Sequence, residues 1–459
     1  MAERLALAVV GHTNAGKTSL LRTLTRRRDF GEVSSQPGTT RHVEAVELAG
    51  DDGVRLRFLD TPGLEDPIGL LHALGPLRAD MTPPQRIRAF LATRAADEAF
   101  EQEAKVLRAL LEVDAALFVI DAREPVLTKF RCEVEILASC GKPVLPVLNF
   151  VRDAVSREAE WGALLADFAL HAQVRFDAVA PFDGAEAQLY DSLALLLPAR
   201  QAPLRAVAGF VERERAARDE AGRRLVADTL LALAALRRTL EREELADEAR
   251  KAAALEAFRA EALERARRAV RELLDLHAFA RSDAELAMLP WLDGRWAADL
   301  FHPETLRDAG ARLGKGAAIG AGVGLAVDAA TAGLSLGAAA ALGATIGGAI
   351  SQGFGPLARR AADALQGRES LSLEDSVLLV AAQRLLGLHL ALQRRGHAAE
   401  GRVELERHAV ALERLQNVLS ALQPARAHPE WAAEDSPRRE AARRELLARL
   451  RQVANPRSP

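Results

Sequence analysis

The sequence predicts a doubly wound, mostly parallel α/β sheet over residues 1–200, followed by an all-α C-terminal region. Three observations predict it. A glycine-rich loop stands between an apolar run and a helical stretch at the N-terminus; apolar runs then alternate with helical stretches as far as Pro198; and beyond residue 204 the chain is dense in Ala, Leu, Arg and Glu. Its 459 residues exceed one core and divide by pattern into 1–200, the long amphipathic helices of 201–300, a Gly/Ala-rich helical hairpin over 301–360, and the C-terminal helices of 361–459.

Residues 5–10 are apolar and read as a buried strand. Gly11-His12-Thr13-Asn14-Ala15-Gly16-Lys17-Thr18 follows and fits G-x-x-x-x-G-K-[ST] at every fixed position. Glycine lets such a backbone wrap a phosphate so that N–H groups and a helix N-terminus point inward. The loop thus assigns a nucleotide site to Gly11, Asn14, Ala15, Gly16, Lys17, Thr18 and Ser19. Lys17 supplies a charge to the β/γ oxygens and Thr18 a hydroxyl for Mg²⁺. Leu20, Leu21 and Leu24 recur at helical spacing just behind.

Residues 34–42 are polar and marked by Gly and Pro, which suits a mobile loop. Two strands, 43–48 and 55–60, flank the turn residues Gly50-Asp51-Asp52-Gly53 and predict an antiparallel hairpin. The second strand ends in Asp60-Thr61-Pro62-Gly63: an Asp beside a phosphate loop can hold Mg²⁺, and a glycine N–H can meet a γ-phosphate. Helices over 85–92 and 95–111 precede strands at 115–120, 143–148 and 174–180, which are separated by helices at 130–138 and 158–170. A last helix, 187–197, ends at Pro198, and 200–203 marks the boundary.

In this order, Gly11 to Thr18, Gly38-Thr39-Thr40-Arg41, Asp60-Thr61-Pro62-Gly63 and Leu145-Pro146-Val147-Leu148-Asn149 resemble the Era-like GTPases, a group that includes the tRNA-modification GTPase and ribosome-assembly GTPases. The resemblance covers residues 5–200 and implies a Ras-like P-loop fold. The whole chain further resembles a bacterial family in which such a domain is fused to an uncharacterised helical C-terminal region. It implies Thr40 as the switch I threonine on Mg²⁺, Asp60 and Gly63 as the switch II pair, and Lys17, Thr40 and Gly63 as the catalytic set. Asn14 matches an Asn that in the tRNA-modification group helps to bind K⁺; its plainer reading is a loop residue bonded to its own backbone.

Two departures stand out. The guanine-reading motif of the group is Asn-Lys-x-Asp, whereas this strand ends Asn149-Phe150-Val151-Arg152-Asp153. Asn149 and Asp153 are the base-reading candidates; Arg152 in the expected Asp slot would repel the same donors, and Phe150 offers a ring for the purine. Second, Leu64 follows the sensor glycine where some relatives carry a water-positioning Gln, which predicts slow intrinsic turnover. Glu65 and Asp66 either orient water or are solvated switch residues, and Arg41 either meets phosphate or extends into solvent. His12, at a variable position of the loop, reads as exposed, while His42, His72 and His171 lack partners at metal-ligand spacing and read as surface or satisfied, partly buried residues. Cys132 and Cys140 form no ligand or disulfide pattern.

In the second half, Leu225, Thr229, Leu233, Leu236 and Leu240, then Leu255, Phe258, Ala262, Ala266, Ala269 and Leu273, step by three or four and predict two long helices. Trp291 and Trp296 mark a hinge. Over 316–356 glycine recurs at spacing four with Asp328 as the one charge, which fits a tight buried hairpin, a membrane-associating hairpin or an oligomer seam. Helices over 371–393, 403–422 and 437–453 complete the chain.

A net charge of −3 gives no strong overall field that favours nucleic acid and leaves local basic patches open. The N-terminus runs straight into a strand, which leaves no room for a cleavable signal and predicts a cytoplasmic protein, or one peripheral on the inner face of the membrane. The expected function is a Mg²⁺-dependent GTPase, with K⁺ as a further ion, that binds GTP and GDP as a switch acting on an unknown protein effector through the helical region. Two alternatives stand beside it: a nucleotide-gated membrane scaffold using 316–356, and an RNA- or ribosome-associated GTPase. A homo-oligomer is compatible with each.

Overall fold

Leu5, Leu7 and Val9 belong to one buried cluster and Ala8 and Val10 to another, so the first strand, β1 (Arg4–Val10), is apolar on both faces. Such a strand belongs in the middle of a sheet covered on both sides. The protein, a computed structural model describing residues 4–27, 30, 43–49, 53–75, 80–279, 323–325, 369–399, 410 and 412–454, places it there. With β2 (Glu44–Ala49), β3 (Arg55–Asp60), β4 (Ala115–Asp121), β5 (Val144–Asn149) and β6 (Val174–Arg175) it forms one sheet in the order β2-β3-β1-β4-β5-β6. The β2–β3 hairpin is antiparallel and every other pair is parallel. This is the doubly wound, mostly parallel fold expected of a P-loop GTPase.

One face of the sheet packs against α2 (Pro67–Leu74), α3 (Pro83–Leu91), α4 (Arg94–Glu98), α5 (Glu101–Glu112), α6 (Thr128–Ser139) and α7 (Glu158–Asp167). The other packs against α1 (Lys17–Thr25) and α8 (Ala185–Leu196). The helix expected over 95–111 is broken into α4 and α5 at Phe100, whose ring meets Phe90 edge-on at 5.9 Å. The strand expected over 174–180 stops after two residues because side chains take over its backbone donors. Asn149 Oδ1 accepts from Ala178 N, and Asp177 Oδ1 accepts from the amides of Val179 and Ala180.

A turn of 3-10 helix, Pro198–Arg200, leads without interruption into the 35-residue α9 (Gln201–Ala235), with Pro203 tolerated in its first turn. By internal contacts the chain forms two units. The first comprises Met1–Ala217 together with Arg394–Glu400, and the second Arg218–Gln393 with Gly401–Pro459.

The second unit is mostly helical. Among the described residues its α-helices are the later part of α9, the short α10 (Arg242–Leu245), α11 (Glu248–Leu276), α12 (Asp375–Gln393), α13 (Leu412–Arg426) and α14 (Pro437–Ala454). They accompany a small antiparallel sheet that helical spacing did not disclose: β7 (Arg237–Leu240), β8 (Val323–Leu325) and β9 (Glu369–Leu373), in the order β7-β9-β8. Leu240 and Leu371, placed in helices by spacing alone, are buried strand residues. Residues 323–325, expected within a helix of the Gly-rich hairpin, pair with 371–373.

Apolar on every side, α12 is long and apolar enough to span a membrane by length and composition, and it is buried in this unit's core. At its end, Gln393 donates to Asp219, which also meets the buried His389. Burial works against the Asp219 charge, but hydrogen bonds from His389 and Arg223 hold its carboxyl well below the usual range. Gly38, Thr39, Thr40 and Arg41, both hinge tryptophans, and the rest of the 316–356 stretch lie outside the described residues.

Candidate nucleotide site

The loop leaves β1 at Gly11, where φ is 142° and an added Cβ would sit 2.2 Å from the Val119 carbonyl of β4. Asn14 and Gly16 also take positive φ, 64° and 91°. Successive turns of this hand aim backbone N–H groups into one concavity, an anion-binding nest. Lys17 opens α1, and its Nζ donates to the carbonyls of Gly11 and His12, each at 2.9 Å. Burial pushes the Lys17 ammonium below its ordinary range, against the opposing charges of Asp60 and Glu133.

The Thr18 hydroxyl donates to Asp60 Oδ2 at 2.5 Å, joining the loop to the end of β3. Asp60 is fully buried, and its Oδ1 has no hydrogen-bond partner. Burial raises its pKa to about 6 despite the Thr18 bond and the Lys17 charge. Two oxygen donors, one of them a buried, orphaned carboxylate oxygen, fit a hard divalent cation such as Mg²⁺. Among the described residues no group of three or more His, Cys, Asp or Glu is placed to hold a metal. Ser19 stands part-exposed in the first turn of α1, and Asn14 is exposed.

Gly63 lies against the loop so closely that a Cβ would fall 2.4 Å from Thr13 Oγ1 and 2.6 Å from Thr13 N. The preceding Thr61 is anchored by its hydroxyl to the Val9 carbonyl at 2.8 Å. After Gly63, Leu64 is buried, and Glu65 and Asp66 donate their amides to the buried Glu103 carboxylate at 3.2 and 3.0 Å. The Asp66 carboxylate accepts from Gly69 N and caps α2.

On the far side, Asn149 Nδ2 donates to the Ala15 carbonyl at 3.0 Å, while Oδ1 accepts from Ala178 N and Phe150 N. Gly16 leaves room for this arrangement, since a Cβ there would lie 2.3 Å from Asn149 Nδ2 and 3.6 Å from the Phe150 ring. Phe150 carries the Arg123 guanidinium 3.9 Å from its ring centre. Arg152 lies over Phe182 at 4.2 Å, and Asp153 accepts from Val155 N to close its own turn. Lys17, Thr18, Asp60, Gly63 and Asn149 thus converge on one loop, whereas Asp153 is engaged locally.

Behind the loop lies a cavity of about 250 Å³ lined by His12, Asn14, Phe118, Lys129, Glu133 and Trp161 among others. Glu133 is fully buried with both carboxylate oxygens unpartnered, and burial raises its pKa to about 8 against the pull of Lys17 and Lys129. Lys129 Nζ lies 3.0 Å from His12 Nε2. Burial, then Lys129 and Lys17, lower the His12 pKa to about 4, so the imidazole is neutral. Glu103 and Glu133 were missed from sequence. The available signal was a carboxylate on the apolar face of a helix, as Glu133 is beside Phe130, Val134 and Leu137.

Residues 6–150 match a family described as 50S ribosome-binding GTPase, and residues 163–452 match one described as Domain of unknown function (DUF3482). The second match begins within α7 and takes in β6. A GTPase Der of Jannaschia sp. is 33% identical over 147 residues, covering 31% of this chain and 24% of that protein. A tRNA modification GTPase MnmE of Granulibacter bethesdensis is 46% identical over 77 residues, 17% of each. The chain thus spans a quarter or less of the length of these two relatives. A structure of Era in complex with MgGDPNP and 16S ribosomal RNA nucleotides is 20% identical, covers 39% of this chain and 52% of that one, and superposes with a TM-score of 0.29.

Proposed function

Since the chain belongs to the DUF3482 family and carries an N-terminal P-loop GTPase domain related to those of Der and MnmE, we propose that it hydrolyses GTP to GDP and phosphate as a switch acting through its helical region. The observation that carries this reading is the junction of Thr18 with Asp60, whose orphaned Oδ1 lies at the end of β3 beside the phosphate loop.

In this mechanism the loop amides hold the β-phosphate. Lys17, released from the Gly11 and His12 carbonyls, turns its ammonium to the β/γ oxygens, where charge grows as water attacks the γ-phosphorus and the bond to the β-bridging oxygen breaks. Thr18, Asp60 and Thr40 would hold Mg²⁺, which when bound neutralises phosphate charge. The Gly63 amide senses the γ-phosphate, and the Glu103 carboxylate fixes the backbone just beyond it, so loss of phosphate is passed to α2.

Leu64 offers no hydrogen bond to the nucleophile, which supports slow intrinsic turnover, on the order of 10⁻³ s⁻¹. Asn14, in the left-handed region at the mouth of the loop, is the candidate K⁺ ligand. The end of β5, with Asn149 tied to the phosphate loop and the ring of Phe150 beside Gly16, would lie by the purine; the preference for guanine is supported by the kinship of the domain with those of Der and MnmE.

The test is phosphate release from GTP by the full chain with Mg²⁺, with excess EDTA, and as Asp60→Asn. Release that needs both Mg²⁺ and Asp60 is expected. Release that survives EDTA and the substitution would overturn the assignment.

A further inference from the structure

The loop Asp177-Ala178-Val179-Ala180, which follows β6, is held from four directions. Asn149 Oδ1 accepts from Ala178 N, and Asp177 Oδ1 accepts from the next two amides. Thr23 of α1 donates its hydroxyl to the Ala178 carbonyl at 2.8 Å. The fourth contact comes from far along the chain: Gly396 N donates to the Val179 carbonyl at 2.8 Å. Gly396 is packed so closely that a Cβ would fall 1.8 Å from the Ala178 oxygen, a separation no side chain can take. The segment around it is a built turn. Ala399 N donates to the Gly396 carbonyl, Arg395 donates to the Ala399 carbonyl, and His397, Ala398 and Ala399 are buried.

Residues 394–400 belong to the first unit by their contacts, yet they continue directly from α12 of the second. They reach the one loop that Asn149 ties to the Ala15 carbonyl of the phosphate loop, so Gly396, Ala178, Asn149 and Ala15 form an unbroken series. In a sheet of this topology a nucleotide lies beyond the carboxyl ends of the strands, and the end of β5 and the loop after β6 stand at that edge, joined through Asn149 to the phosphate loop.

We propose that residues 394–399 are a positioning element of the base pocket, through which the helical region sets guanine affinity and feels base occupancy. The proposal rests on the nucleotide-binding reading above. The segment touches the loop rather than the phosphates, so it acts on recognition of the base. Coupling of this kind is reciprocal: if the segment improves base binding, the base must hold the segment in place by the same factor. The ligand class is a purine nucleoside diphosphate or triphosphate recognised at its base.

The test uses the full chain in two arms. In the first, Kd values for GDP and ADP are compared between wild type and Gly396→Val. A loss of about tenfold or more in GDP affinity with little change for ADP, and hence a fall in base discrimination, is expected. In the second, hydrogen exchange at the Gly396 amide of the wild-type chain is followed with no nucleotide, with saturating GDP and with saturating ADP. GDP should slow exchange about tenfold and ADP much less. The second arm stands even if Gly396→Val does not fold. If wild type binds no nucleotide, the site assignment fails. If wild type binds GDP but discrimination and Gly396 protection do not respond, the positioning role alone is overturned.

Discussion

Asn149 at the end of β5 donates its side-chain amide to the carbonyl of Ala15 in the phosphate loop, 3.0 Å away, and with its other atom accepts from the amide of Ala178. One buried residue therefore fixes both sides of the pocket. Replacing it with Ala leaves a buried carbonyl and a buried amide without partners, at a cost of about 2–4 kcal/mol. Asn149→Ala should show that loss in urea unfolding together with a weakened GDP Kd; a variant as stable as wild type would show that the bridge contributes nothing.

Lys17 presents the opposite case. Its ammonium is buried in the loop, and burial disfavours its charge. Lys17→Met should leave the nucleotide-free protein at least as stable as wild type while abolishing stabilisation by ligand. GDP at a hundredfold over Kd should stabilise the wild type by about 2.7 kcal/mol and the variant not at all. Thermal unfolding with and without GDP reads both effects.

Gly63 has no room for a side chain beside Thr13. Gly63→Ala must push the segment after β3 away from the loop, and a displacement near 1 Å at a reacting centre costs about a hundredfold in rate. Single-turnover GTP hydrolysis should fall by about that factor while GDP affinity stays within a few-fold. Equal losses in both would place Gly63 in general binding rather than in sensing.

Glu133 gives a pH signature. Its folded pKa, raised to about 8 by burial, lies above its ordinary value of 4.5. The native state therefore keeps a proton that the unfolded chain has released. This stabilising term is complete below pH 4.5 and is lost as pH rises through about 8, at no more than about 1.4 kcal/mol per pH unit. Glu133→Gln carries no such proton, so its stability between pH 5 and 8 should fall less steeply than that of wild type. Identical slopes from denaturant titrations would exclude Glu133 as the source.

Much of this was legible in the residues. Glycine and lysine spacing located the phosphate loop, and continuous apolar runs such as residues 5–10 located the sheet, because local chemistry dictates both. Leu240 and Leu371 were misplaced because a leucine three or four residues from another satisfies a helix, while the strands that hold them pair residues more than a hundred positions apart. Glu103 and Glu133 went unread because a carboxylate on an apolar helix face has meaning only once its surroundings are known. The contact between Gly396 and Val179 had no signal at all, since a glycine in a turn looks alike wherever the turn is docked.

In the proposed function the phosphate loop and Asn149 together hold a guanine nucleotide. Equilibrium binding of GDP, GTP and ATP to the full chain, in Mg²⁺ with K⁺ or Na⁺ as the monovalent ion, tests it most directly. GDP and GTP should bind at least about a hundredfold more tightly than ATP, near 2.7 kcal/mol of discrimination. ATP binding as tightly as GTP would contradict it.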